Sequence, residues 1–281
     1  MLPAIHVNRK DIMHASADRL ALASVGAVAV ALSVTSVSLL AQNWVKVPRP
    51  DVPRAADGTP NLLAPVPRGL DGKPDLTGPW SSKDNTFLRD IASGTNPDTV
   101  PFQPWAKALF DQRRDGSHSR EDPDANCLPQ GVPKVNAVAY PWKMLQTPGS
   151  IVVVYEAFNL WRQIFLDGRE PSPDANPTWH GYSTGRWEGD TLVVDTKGFN
   201  GKAWLDQLGR PTTDALHVTE RFRRKDLGHM EIQITIDDAK AYTRPWTVTE
   251  EVHLVLDTDL MEFICNENNR DLEHLPGKPL R

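Results

Sequence analysis

Between His229 and Ile236 the chain alternates without a break. Met230, Ile232, Ile234 and Ile236 fall on one parity, and Glu231, Gln233 and Thr235 on the other. Successive side chains of a strand point to opposite faces, so this segment reads as a half-buried β-strand. Such strands must pair, and short turns between them make neighbours antiparallel. Eight runs of this kind lie between Ile151 and Cys265, in four successive hairpins. They are Ile151–Phe158 with Leu160–Leu166, Tyr182–Glu188 with Thr191–Thr196, His217–Arg224 with His229–Ile236, and Trp246–Leu256 with Leu260–Cys265. Gly189-Asp190 between the second pair is a two-residue hairpin turn. The expected fold is mainly β: an eight-stranded antiparallel up-and-down barrel, with a two-sheet sandwich as the alternative.

Parity also says which polar side chains face inward. Glu220 lies between Val218 and Phe222, and Glu250 among Trp246, Val248, Val252 and Leu254. Glu156 is placed with Val152, Val154 and Phe158, and Arg162 with Leu160, Ile164 and Leu166. A carboxylate in a barrel interior is costly to desolvate and is a candidate for chemistry. Burial raises a carboxyl pKa and a nearby guanidinium lowers it, so glutamates in unlike settings split acid and base roles. Glu220, Glu156 and Glu250 are therefore candidate catalytic residues, with Arg162 as electrostatic stabiliser. The competing reading is an ion network that only fixes strand register.

The aromatic residues supply candidate walls. Nine tryptophans occur, all beyond residue 42, and Trp161, Trp179, Trp187, Trp204 and Trp246 lie on or beside strands. The loop Pro177-Thr-Trp-His-Gly-Tyr-Ser183 gathers Trp179, His180 and Tyr182 as a pocket rim would. Flat apolar faces suit ring-containing ligands, although core packing explains tryptophans equally well. Candidate ligand contacts are Trp161, Trp179, Tyr182, Trp187 and Trp246, with His180 as a further acid/base. His217, His229 and His253 have no metal-ligand spacing, so no metal and no cofactor is expected. Ser183 falls in a loose G-x-S-x-G match, but it runs into a hairpin, where the hydrolase elbow needs a strand-to-helix turn.

Outside the strands, residues 1–41 read as a secretory signal. Arg9, Lys10 and Arg19 precede an uncharged apolar run from Leu20 to Ala41, with a cut expected after Ala41. Kept uncleaved, a run of about 20 residues would also reach across a bilayer. Residues 42–100 form a proline-rich arm holding a short repeat, Val52–Leu62 followed by Val66–Leu76, each with an Asp-Gly turn. Residues 101–150 are read as a short helix, Pro104–Arg114, and a loop packing on the barrel of residues 151–281; a second short helix is expected at Lys202–Leu208. Two cysteines, Cys127 and Cys265, fit one disulfide in an oxidising compartment, or two separate buried thiols. A net charge of -5 without a basic stripe excludes a nucleic-acid partner.

Several stretches carry a resemblance. Trp187-Glu-Gly-Asp-Thr-Leu-Val-Val-Asp-Thr-Lys-Gly-Phe199, Trp204-Leu-Asp206, Glu220-Arg-Phe-Arg223, Thr235-Ile-Asp-Asp238 and Tyr242-Thr-Arg-Pro-Trp246 are among them. With Asp75-Leu-Thr-Gly-Pro-Trp80, Cys127 and Cys265-Asn-Glu-Asn268, they make the chain resemble a largely uncharacterised family of exported bacterial proteins. The resemblance implies export and a lipocalin-like barrel, and it carries no reaction and no catalytic residue. The expectation is an exported (periplasmic or secreted) enzyme acting on a small ring-containing molecule by acid/base chemistry, as a lyase, isomerase or hydrolase. A carrier of a small hydrophobic ligand and a scaffold using the proline arm are the alternatives. No stable membrane span is expected once the signal is removed.

Overall fold

The computed structural model describes residues 49–278 apart from 51, 97, 98, 173 and 268; the expected signal segment and its cleavage point lie outside these. Nine strands close into one barrel in chain order. They are β1 (Gly78–Ser82), β2 (Trp142–Gln146), β3 (Ser150–Tyr155), β4 (Trp161–Phe165), β5 (Tyr182–Glu188), β6 (Thr191–Lys197), β7 (His217–Arg224), β8 (His229–Asp237) and β9 (Trp246–Leu254). The mainly-β expectation holds. The count of eight and the purely antiparallel order do not.

The difference comes from both ends of the barrel sequence. Leu260–Cys265, expected to be the eighth strand, is irregular. The edge of β9 that it would occupy is taken by β1, with Trp80 opposite Leu254 and Ser82 opposite Val252. Strand β2 then bridges β1 and β3. The barrel therefore draws one strand from the expected arm and one from the expected helix-and-loop segment. Nine strands in a closed ring cannot alternate direction throughout, because an odd ring has no consistent up-down assignment. One contact has to be parallel, and it is β4–β5, paired only at Ile164–Ser183 and Phe165–Thr184. The described residues between 166 and 181 make the return crossover without forming a helix.

Interior parity is as the sequence indicates in the last three strands. Val218, Glu220, Phe222 and Arg224 are buried on β7, the four apolar residues on β8, and Trp246, Val248, Glu250, Val252 and Leu254 on β9. Arg162 and Ile164 are buried on β4. Strand β3 departs from the reading: Ile151, Val153 and Tyr155 face in, and Val152 and Val154 do not. The strand also stops one residue short of Glu156, which is helical (φ -63°, ψ -42°) and opens a 3-10 turn through Phe158 and Asn159, both at positive φ. Glu156 is thus buried in a corner and not on a strand face; its Oε2 accepts the Met261 N–H at 2.9 Å.

Around the barrel lie helix α1 (Thr86–Arg89) and helix α2 (Pro104–Arg113). Helix α2 is the one expected; it buries Ala106 and Phe110, while Trp105 stays exposed and donates to the Lys240 carbonyl. The helix expected at Lys202–Leu208 is absent. The buried Asp206 carboxylate accepts the backbone N–H groups of Ile91 and Arg210 and pairs with the Arg210 side chain, holding the segment as a turn closed by Gly209 at positive φ.

Each repeat of the arm is a miniature hairpin, bridged at Arg54–Pro60 and Arg68–Pro74. Arg54 Nη1 donates to the Gly58 carbonyl, and Arg68 Nη1 to that of Gly72. Each arginine then reaches a barrel turn, Arg54 to Asp257 at 3.1 Å and Arg68 to Asp190 at 2.6 Å. These exposed pairs add little stability and fix register. The arm also buries Val52 and Ala64, and Leu76 and Trp80 are fully excluded from solvent. Cys127 and Cys265 form a disulfide, which ties the C-terminal segment to the loop before β2.

Candidate functional site

The 3-10 turn Lys134–Ala137 is buried and reaches the barrel interior through Asn136. Asn136 Nδ2 donates to Glu220 Oε1 at 2.8 Å, its Oδ1 accepts the Tyr155 hydroxyl at 2.9 Å, and its carbonyl accepts Trp142 Nε1. From β4, Arg162 Nη2 donates to Glu220 Oε2 at 2.5 Å and to Thr196 Oγ1 at 2.7 Å, while Nε donates to Ser183 Oγ at 2.8 Å. Four strands and one loop thus meet at a single ion pair. Burial works against the charge on Arg162, and Glu220 and Tyr155 outweigh it, so its pKa is raised. Burial pushes the Tyr155 phenol well up, leaving it a hydrogen-bond donor.

Two groups near this network are unsaturated. Arg162 Nη1 has no hydrogen-bond partner, and neither has His180 Nε2. Burial, with the Arg162 charge behind it, pulls the His180 pKa down to about 4, against a backbone hydrogen bond at Trp161 that favours the charged ring. A backbone group that favours the charged ring is a carbonyl accepting from a ring N–H. With Nε2 unpartnered, that N–H is Nδ1, and Nε2 keeps a free lone pair.

Both residues line a cleft of about 430 Å³ with Trp161, Phe165, Trp179 and Tyr182 among its walls. Its position follows from the topology. Only two residue pairs join β4 to β5, so on the side of Trp161 and Gly181 the wall is not zipped. Trp161 stands 65% exposed at this opening.

The expected site residues therefore divide. Arg162, His180, Trp161, Trp179 and Tyr182 come together. Glu220 stands behind Arg162, fully buried, with each oxygen engaged. Glu250 shares the interior two strands away, opposite Ile232, and neither of its oxygens is hydrogen-bonded. Burial pushes its pKa to about 8, with Ser82 opposing and the Glu220 charge adding. Glu156 anchors the C-terminal segment. Trp246 packs edge-on to Tyr242, and Trp187 packs against the core; neither lines the cleft.

Asn136, Tyr155, Ser183 and Thr196 were not singled out as site residues by the sequence. Ser183 and Thr196 carry a usable signal, being polar side chains buried in the barrel wall. Asn136 carries none, since it arrives from a loop. Among the described residues no cluster of three or more His, Cys, Asp or Glu could hold a metal. No protein-family model, curated protein or solved structure is similar to this chain.

Proposed function

We propose that the protein is an exported enzyme that moves a proton on a small, uncharged, ring-containing molecule held in the β4–β5 cleft. The observation that carries this reading is the pairing, in one tryptophan-walled cleft, of a neutral histidine nitrogen with a charge-compensated arginine. Because Glu220 neutralises Arg162 and His180 is uncharged, the lining offers no net charge to an ionic ligand. A carbonyl oxygen accepts from Arg162 Nη1. His180 Nε2 removes the proton from the adjacent carbon, and the electron pair moves into the carbonyl to give an enolate stabilised by the guanidinium. Return of the proton to another carbon is isomerisation, and departure of a leaving group is elimination. Glu220 and Asn136 act as positioning residues for Arg162. The Cys127–Cys265 disulfide supports an oxidising compartment, and among the described residues no helix is long and apolar enough to cross a membrane.

Proton exchange is the test, because it does not require the full reaction to be known. Cyclic ketones and lactones incubated with the protein in D2O exchange the hydrogen beside the carbonyl, read by NMR, and His180→Asn abolishes the exchange while ligand binding persists. A carrier is the second reading, favoured by the saturation of Glu220, and it predicts binding with no exchange by the wild-type chain. The cleft itself speaks against a purely scaffolding role.

A further inference from the structure

A second, larger cavity of about 730 Å³ lies between the loop of residues 119–130 and the C-terminal segment. Its chemistry is the opposite of the cleft's. Asp122, Asp124 and Gln130 line it on one side, and Tyr140, Phe158 and Phe263 on the other. We propose that this cavity binds an organic ammonium ion, with the N–H groups on the acidic side and the carbon skeleton on the aromatic side.

The charged side chains of the lining are both acidic, and they stand beside the amides and hydroxyl of Asn85, Ser119, Gln130, Gln207 and Asn269. Gln130 is 2% exposed, and its Nε2 donates to Asp124 Oδ1 at 3.0 Å. That orientation is forced, since an ionised carboxylate only accepts, and it leaves Gln130 Oε1 buried without a partner. A buried acceptor without a donor is costly, and a donor brought by a ligand removes the cost. Asp122 Oδ2 is taken by Lys134 Nζ at 2.6 Å, whereas Asp124 Oδ2 lies 3.6 Å from the same nitrogen, beyond a hydrogen bond. Lys134 does not line the cavity, being 2% exposed behind the two aspartates. Among the described residues no lysine, arginine or histidine lines the cavity; Lys134 lies behind the two aspartates, and the Arg113 charge also acts on Asp122. Burial, opposed by Lys134 and reinforced by Asp124, raises the Asp122 pKa, and a further cation would relieve that repulsion.

The aromatic wall fits the same ligand. Phe263 lies 4.6 Å from Tyr140 and 5.8 Å from Phe158, ring centre to ring centre. Ring faces attract a cation within about 6 Å of their centroid. The C-terminal segment also brings Cys265 and Asn269 to the cavity, Asn269 donating to Cys127 Sγ, so the disulfide holds this wall in place. A bare divalent ion is a poorer match, because only two carboxylates converge and Lys134 already holds one of them.

Calorimetric titration of the full chain with phenethylammonium chloride, with 2-phenylethanol as the uncharged analogue and calcium chloride as the metal control, tests the proposal. The expected result is saturable binding of the amine alone, weakened about tenfold or more by Asp124→Asn and by Gln130→Met, with both variants melting as the wild type does. Gln130→Met keeps the charge count, so it separates the orphan acceptor from bulk electrostatics. Absence of saturable amine binding, equal binding of the alcohol, binding of calcium in the amine's place, or an affinity indifferent to both substitutions would overturn it.

Discussion

Glu220 and Glu250 occupy the same barrel interior, and Glu220 has a close hydrogen-bond partner on each oxygen. They lie on β7 and β9 with β8 between them, Glu220 opposite Ile234 and Glu250 opposite Ile232. One carboxylate is held by a guanidinium and an amide; burial pushes the other to a pKa of about 8, with only the Ser82 hydroxyl opposing it. The same residue type on the same inward parity thus ends as an ion in one place and an acid in the other.

The unpartnered acid gives the first prediction. The folded pKa of Glu250 lies above its unfolded value of 4.5, so its contribution is fully present below pH 4.5 and is lost as pH rises through about 8. Glu250→Gln removes that slope. At pH 7 it stabilises the fold by on the order of 3 kcal/mol, with little change near pH 4.5. Urea denaturation at the two pH values measures this, and equal effects at both would exclude a buried acid.

His180 has the opposite sign. Its folded pKa of about 4 lies below the unfolded 6.5, so its contribution is complete above pH 6.5 and is lost as pH falls through about 4. In His180→Asn the acid limb of the stability profile flattens between those values, while the alkaline limb set by Glu250 persists. Thermal melts across pH 4 to 8 distinguish the two residues.

The Arg162–Glu220 pair is expected to behave as a unit. Arg162→Met alone leaves Glu220 buried and uncompensated, at a cost of about 3–5 kcal/mol. Adding Glu220→Leu recovers a large part of that loss, because no charge then remains to be desolvated. A double-mutant cycle by chemical denaturation reads the coupling; simple additivity would mean that the two groups do not depend on each other.

Reduction of Cys127–Cys265 releases a loop spanning 138 residues of sequence. The chain-entropy model puts the loss at about 5 kcal/mol as an upper figure. Paired Cys→Ser substitution, compared with the oxidised chain by denaturant midpoint, tests this. Amine binding is expected to fall with it, since Phe263 loses its tether.

Docking of the arm depends on Gly228, over which Leu62 sits. A Cβ at position 228 would lie 2.6 Å from Leu62 Cβ, so Gly228→Ala displaces the arm. Limited proteolysis should then cut within residues 49–77 faster than in the wild type, and an unchanged rate would show that the arm is held elsewhere.

Much of the interior was legible in the sequence wherever charge and apolar character alternate. In β7, β8 and β9 a misplaced register would bury Arg221 or Glu231, so local chemistry alone fixes which side chains face in. Glu220, Glu250 and Arg162 followed from that rule, and so did the Gly189-Asp190 turn. The run Ile-Val-Val-Val in β3 has no alternation, and either register is equally apolar. Only the pairing of Val153 with Arg162 across β3 and β4 decided it.

What the tertiary structure decided are the features that depend on closure. Gly78–Ser82 has too little pattern to announce itself, yet it fills the free edge of β9, and together with Trp142–Gln146 it brings the strand number to nine. An odd ring then imposes the parallel β4–β5 contact, and the cleft opens beside it. The entry of Asn136 into the barrel and the turn at Glu156 are likewise absent from local pattern. Alternation is a property of neighbours in sequence, whereas closing a sheet joins residues far apart in it, and the energy of that pairing is written in no single segment.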